Sequence, residues 1–313
     1  MYIDFASRVG TVGIISTDIN PRIELLNWHL WSQPAMAREQ HQELPKFGLL
    51  TDPIEFVPDE ITRFRKLGFD YVEIGIEEPN ATPCILMRQS EEILRLLSAD
   101  GMPALGHTAY WVGFGSSHEK ARLGWIEEAK DMILVASELK LRLLNFHFNG
   151  RLGRVGATEE SRIIFLRNFT DAMKELTEFA ATKKVDLMLE NAPPANGSPL
   201  ESIEYFSQVM NAVPALKFHL DVAHAFIENR MKGVKDYINA FGDRLAHVHI
   251  HDNHGKWDEH LPLGRGKIDF RKVVRLLKEI NYDRTVTFEV FTSRDDAVRS
   301  REFFKRQWNK VHS

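Results

Sequence analysis

One cysteine, Cys84, stands in the whole chain, so no internal disulfide can brace the fold, and the usage fits a reducing compartment. Its surroundings, ATPCILMR, carry no nucleophile motif, and the expectation is a semi-buried, inert thiol. Long apolar runs are missing too. None approaches the ~20 residues of a membrane span. The start, MYIDFASRVG, has no basic region followed by an apolar core, so a cytoplasmic protein with no membrane partner is expected. An excess of one charge is also lacking: 44 acidic against 40 basic residues give a net charge of −4. That balance argues against a surface selected as a whole for polyanions and leaves only a local basic groove as a route to nucleic acid. Low-complexity tracts and linker-like shifts in composition are absent. What remains is an ordinary globular composition, 43% hydrophobic and 27% charged, over 313 residues, enough for a sizeable core.

Short β-rich runs alternate with longer amphipathic stretches along the chain, the pattern of repeated βα units on a parallel sheet. Eight strand candidates can be counted: VGTVGII near the start, FDYVEIGI (69–76), MPALGH (102–107), LRLLNFH (141–147), VDLMLE (185–190), LKFHLD (216–221), LAHVHIH (245–251) and TVTFEV (285–290). Eight strands with intervening helices predict a closed (β/α)8 barrel in one domain. In the stretch 118–139, Leu123, Ile126, Met132, Ile133, Val135 and Leu139 recur at helical spacing, as do Val273, Val274, Leu276, Leu277 and Ile280 in 270–280. These stripes are packing faces. After the first strand candidate, about forty residues, Thr17 to Phe56, precede the next convincing helix. Such a length is unusual for a connection. The expectation is a partly structured insertion, 17–56, lying over the barrel mouth as a lid, a packing flap or an oligomer contact.

Six of the eight apolar runs carry a histidine or an acid at or near the C-terminal end: His107, His147, Glu190, Asp221, His249 and Glu289. In a parallel barrel all strand C-termini open on one face, so these distant residues should converge there. Several buried carboxylates in one place are costly unless neutralised, and a cation is the simplest neutraliser. Oxygen and imidazole donors without thiolate suit manganese, zinc, magnesium or cobalt. Local spacing adds to the pattern: HLDVAHAF sets His224 three residues after Asp221, HVHIHDN puts His247, His249 and His251 on one strand face, and WDEHLPLGRG supplies Asp258 and His260. Alternation alone does not say which of the three strand histidines binds metal. Glu73, near the end of the second run, is expected to point into the barrel towards substrate. Trp111, Phe114 and Trp257 follow strand ends and are candidates for pocket walls.

At these residues the chain resembles the xylose isomerase-like barrel superfamily, which holds sugar isomerases and epimerases as well as DNA-repair phosphodiesterases of the endonuclease IV type. The resemblance runs from about FDYVEIGI to Phe291. It implies one divalent metal held by Glu190 in LMLEN, Asp221 in HLDVAH, His249 in HIHDN and Glu289 in TFEVF, with His249 singled out because it stands three residues before the acid of HIHD. The implied chemistry is proton transfer next to a carbonyl, with Glu190 and Glu289 as base and acid on opposite faces of the substrate and His224 on a substrate hydroxyl.

Endonuclease IV resembles the chain at more positions: His107, His147, Glu190, Asp221, His224, His249, Asp258, His260 and Glu289 match the residue types of a trinuclear zinc site. That comparison implies a multinuclear phosphodiesterase, with up to three zinc ions, in which His107, His147, His224, Asp258 and His260 are additional ligands; in sugar-binding members the same side chains serve as substrate contacts. The chain departs from the repair enzymes in NFHFNG, which lacks their His-Pro pairing, and in the long early insertion. The segment HIHDNHGKWDEHLPLGRGKIDF looks most like the sugar phosphate isomerase/epimerase group, where His251, Lys256 and Arg265 would be substrate contacts. A carbohydrate substrate is therefore the expected partner. Relatives of this shape often pair or form tetramers, so self-association to a homo-oligomer stays open.

Overall fold

The computed structural model describes residues 43–149, 158–193 and 200–311. Eight parallel strands close into a barrel in strict chain order: β1 Lys46–Leu50, β2 Tyr71–Ile76, β3 Ala104–Thr108, β4 Leu143–His147, β5 Asp186–Glu190, β6 Lys217–Asp221, β7 Leu245–Ile250 and β8 Thr285–Phe288. Eight α-helices surround it among the described residues: α1 Val57–Lys66, α2 Pro83–Ala99, α3 Glu119–Glu138, α4 Glu159–Thr182, α5 Ile203–Ala212, α6 Val222–Phe241, α7 Phe270–Glu279 and α8 Arg294–Lys310.

Seven strands coincide with expected runs, and the first does not. The barrel closes through KFGLL, a segment inside the expected insertion 17–56, which pairs with β2 on one side and β8 on the other. VGTVGII and residues 17–42 lie outside the described residues. KFGLL works as a strand because of what lies against it. A Cβ on Gly48 would stand 2.4 Å from the Tyr71 ring, so only glycine lets that ring lie over β1 inside the barrel.

The outward faces of the strands and the inward stripes of the helices form one continuous apolar layer. In α7, Val273, Val274 and Leu277 are fully buried, each contributing roughly 1.5–3 kcal/mol on transfer from water. In α3 the stripe holds at Ile126, Met132, Ile133 and Val135, whereas Leu123 is exposed. Four of the eight helix starts carry side-chain caps: Thr158, Asp221, Asp269 and Ser293 each accept a backbone N–H from three residues ahead. A second, smaller apolar cluster of Tyr71, Leu105, Leu143, Met188 and Ala246 is separate from the outer layer. Tyr71, Leu105 and Met188 stand two residues before Glu73, His107 and Glu190, and Leu143 stands two before Asn145 and four before His147. Strand alternation therefore stacks an ionisable layer directly on an apolar one.

Candidate active site at the barrel mouth

The expected convergence occurs. Strand register sets His147 beside Glu190, Glu190 beside His219, and Asp221 beside His249. Glu190 is the most heavily contacted carboxylate. Asn145 Nδ2 donates to its Oε2 at 2.6 Å, His147 Nε2 lies 3.1 Å from the same oxygen, His219 Nδ1 3.3 Å and His107 Nε2 3.7 Å, while His224 Nδ1 is 3.5 Å from Oε1. Burial by itself would push this carboxyl up, but His219, His147 and His107 together hold it well below the usual carboxylate range.

Glu289 occupies the other side of the mouth, where His249 Nδ1 is 3.3 Å, His260 Nδ1 3.6 Å and His251 Nε2 3.9 Å from its Oε2. Burial opposes its charge, and His249 and His260 overcome that and lower its pKa. The carboxyl of Asp221 is fully buried: Oδ1 accepts the His224 N–H at 2.7 Å, and Oδ2 faces His251 Nε2 at 3.3 Å. Asn191 fixes this strand end, accepting from Asp221 N and donating to Asp221 O, each at 2.9 Å.

A third group forms the rim. Asp258 Oδ2 stands 3.1 Å from both His224 Nε2 and His260 Nε2, and these imidazoles hold its carboxyl far down against burial. Burial disfavours charge on His260, yet Glu289 and Asp258 lift it to about 9. His260 has a left-handed backbone, φ 47°, and its ring stacks between His251 and Phe291 at 4.2 Å on each side. A non-glycine residue held in that region marks a place where the surroundings dictate conformation.

The loop bearing Asp258 and His260 is held from below by Asp252, the acid of HIHD. Its carboxylate is fully buried and accepts N–H groups from Gly264 and Gly266 at 2.9 Å and from Ile268 at 3.2 Å. Backbone hydrogen bonds in both directions join Asp252 to Leu261. At Gly266 a Cβ would fall 2.3 Å from Asp252 Oδ1, which accounts for the second glycine of GRG.

Glu73 differs from its expected role. It points into the barrel but lies fully buried beneath the mouth, where Oε2 accepts from His249 Nε2 at 2.9 Å and His247 Nε2 at 3.1 Å. Its Oε2 orients both imidazoles, and Oε1 is buried without a hydrogen-bond partner. Lys256 and Arg265 are exposed on the loop after β7. Trp111 and Trp257 are exposed as well, whereas Phe114 belongs to the outer core. Cys84 is exposed, not half-buried, and Arg88 Nη1 donates to its sulfur. Two residues that take part were not anticipated, Asn145 and His219. Each stands two positions before an expected site residue on the same strand face, the periodicity that could have found them.

The donor set fits a divalent cation. Asp221 Oδ2, His107 Nε2, His249 Nδ1 and His251 Nε2 are buried without a hydrogen-bond partner, although carboxylates and imidazoles crowd around them. Ligand-capable atoms of Asp221, His224 and His251 lie within 4.8 Å of one another, and so do those of His251, His260 and Glu289 and those of His107, His147 and Glu190. By accepting from Nε2 of His249, Glu73 leaves Nδ1 as the nitrogen available to a metal, the orientation a carboxylate behind a ligating histidine provides. Against burial, Glu73 and Glu289 hold a proton on His249 that a bound cation would displace.

The sequence model of one family, described as xylose isomerase-like TIM barrel, matches residues 61–307, from within α1 to within α8. The chain belongs to the xylose isomerase-like TIM barrel family. Its relatives in this family include fructoselysine 3-epimerase of Escherichia coli O157:H7, 25% identical over 261 residues, covering 80% of this chain and 88% of that protein. L-ribulose 3-epimerase of Methylomonas sp. strain DH-1 is 27% identical over 238 residues, covering 73% of this chain and 76% of that protein. The crystal structure of a D-tagatose 3-epimerase-like protein superposes with a TM-score of 0.74 at 26% identity, over 84% of this chain and 97% of that one. Among the described residues of this xylose isomerase-like barrel, no helix is long and apolar enough to cross a membrane.

Proposed function

We propose that the chain is a divalent-metal-dependent sugar epimerase or isomerase that moves a proton on a carbon next to a carbonyl. The observation that carries this reading is the placement of Glu190 and Glu289 on opposite sides of one mouth, each ionised in a buried setting and each surrounded by imidazoles. Sugar 3-epimerases among the relatives support the substrate class. Glu190, Asp221, His249 and Glu289 would hold the metal, manganese, zinc, magnesium or cobalt, which when bound polarises the carbonyl and hydroxyl oxygens of the sugar.

The side chains divide the remaining work. Glu190, kept ionised, takes the proton from one face of the sugar. Glu289, ionised at rest, delivers one to the other only after taking a proton from His260, whose Nδ1 stands 3.6 Å from its Oε2. Burial opposes charge on that imidazole, but Glu289 and Asp258 keep it protonated. Asn145, bonded to Glu190 Oε2, leaves Oε1 as the oxygen on the side of His224 and fixes the carboxylate plane. His224 and His260, joined through Asp258, are placed to meet substrate hydroxyls at the rim. His251, His260 and Phe291 stack in a row, which leaves the exposed Phe291 ring as the apolar surface for a sugar at the rim.

Incubating the metal-loaded protein with a panel of ketoses in deuterated water tests this reading. Deuterium should enter the sugar at the epimerised carbon. Lack of exchange with every ketose and every one of the four metals would sink it.

A second reading, a multinuclear zinc phosphodiesterase, rests on the rim trio of His224, Asp258 and His260 and the His107, His147 and Glu190 group, which together offer donors for further metals. About three tightly held zinc ions per chain, with cleavage of an abasic duplex, would favour it over the epimerase.

A further inference from the structure

Beside the mouth a groove of about 470 Å³ opens between α2 and α3. Its inner end is formed by Ile76 and Ala109, where β2 and β3 deliver the chain to the barrel's upper face. Three carboxylates face it, from Glu77, Glu78 and Glu128, together with the indoles of Trp111 and Trp125. Among the described residues, none of these acids has a cationic partner, although ion pairs are otherwise frequent on the surface. Burial pushes the carboxyls of Glu77 and Glu128 up, outweighing the pull of His107 on Glu77 and reinforced at Glu128 by Asp131. Glu77, at the inner end of the groove, is also within electrostatic reach of His107 and Glu289 of the mouth.

Gly124 supplies an independent sign. It lies inside α3, where glycine weakens a helix relative to alanine, and it lines the groove. No described neighbour requires it to be small, since a Cβ added there would meet nothing within 4 Å. The residue costs helix stability and leaves room on the groove side.

We propose that this groove binds a cationic arm of the substrate, an ammonium on a short apolar chain, attached to the ketose whose reacting carbon lies between Glu190 and Glu289. Indoles attract ammonium groups over their faces, and half-buried carboxylates gain the counter-charge the fold does not give them. The inference rests on the epimerase reading for the identity of the sugar end, while the groove's preference for a cation rests on its own residues.

Two measurements separate them. Tryptophan fluorescence of the full chain is titrated with n-pentylamine and with n-pentanol, which share a shape but not a charge. The amine should produce a saturable change that pentanol does not, and Gly124→Leu, filling the groove, and Glu128→Gln, removing a charge, should each weaken it by about tenfold. Trp111→Phe should remove much of the signal while leaving the fold intact by circular dichroism. Next, kcat/KM is compared for a ketose carrying a pendant ammonium and for the same ketose without it. The wild-type chain should favour the ammonium form by about tenfold or more, and Gly124→Leu should erase the preference.

Equal response to amine and alcohol, or amine binding unmoved by both variants, overturns the groove proposal even where ketoses exchange deuterium. Amine binding that behaves as expected, with no ketose turned over, upholds the groove and discards the epimerase reading instead.

Discussion

Two adjacent layers of the barrel interior do opposite things. The lower one, Tyr71, Leu105, Leu143, Met188 and Ala246, is apolar and close-packed. The upper one, Glu73, His107, Asn145, His147, Glu190, His249 and Glu289, is polar and buried, with nitrogens and oxygens that lack hydrogen-bond partners. The lower layer satisfies itself on folding. The upper one stores unsatisfied donors and acceptors, tolerable because opposite charges alternate around it and because a cation can complete it. Stability and chemistry are thereby assigned to adjacent rungs of one ladder, and substitutions in the two rungs should separate them.

The largest effect is expected at Glu190→Gln. Turnover of the ketose identified in the exchange experiment should fall about 10²- to 10⁴-fold, the usual contribution of a positioned acid or base, while the melting temperature changes little. Retained full turnover would remove Glu190 from proton transfer. In the lower layer, Met188→Ala should cost about 2–5 kcal/mol in denaturant unfolding through the cavity it leaves. Metal content of the folded fraction should stay the same, and a matching loss of metal would show that the layers are not separable.

Glu73→Gln sharpens the comparison, because this residue bonds His249 of the upper layer and also His247, whose ring lies against Tyr71 of the lower one. Metal affinity, measured by competition with a chelator, should weaken about 10- to 100-fold, with kcat of the fully loaded protein less affected. A parallel His249→Ala and His251→Ala pair ranks the two imidazoles beside Glu289: the first should lose more affinity, since only His249 has its far nitrogen fixed by a carboxylate. The smallest effect is expected outside both layers. Lys256→Ala and Arg265→Ala should each leave stability within about 0.5 kcal/mol of the starting chain.

Much of this arrangement was legible in the sequence, because a barrel turns strand ends into a single location. Glu190, Asp221, His249 and Glu289 all reach the mouth for that reason, and the rim trio follows from HLDVAH and WDEH. The first strand was not legible. KFGLL is short, carries glycine at its centre and owes its place to Tyr71 and to the two strands flanking it, and such partners are invisible in a linear pattern. Asn145 and His219 escape a linear pattern because a polar residue within an apolar run reads as an interruption, although inward alternation makes it the next rung down. Glu73 was placed on the right face but at the wrong depth, since strand tilt sets height in a barrel and is not written in the spacing.

The clamp of Asp252 on the amides of Gly264, Gly266 and Ile268 has a consequence for how such a mouth can change over generations. Both ends of the stretch from Asn253 to Leu261 are pinned to the strand beneath, so its exposed positions Lys256 and Trp257 can be rewritten without disturbing the scaffold. Should the chain turn over a ketose, exchanging these positions for their counterparts in an epimerase of different preference is a direct route to retuning which sugars it accepts.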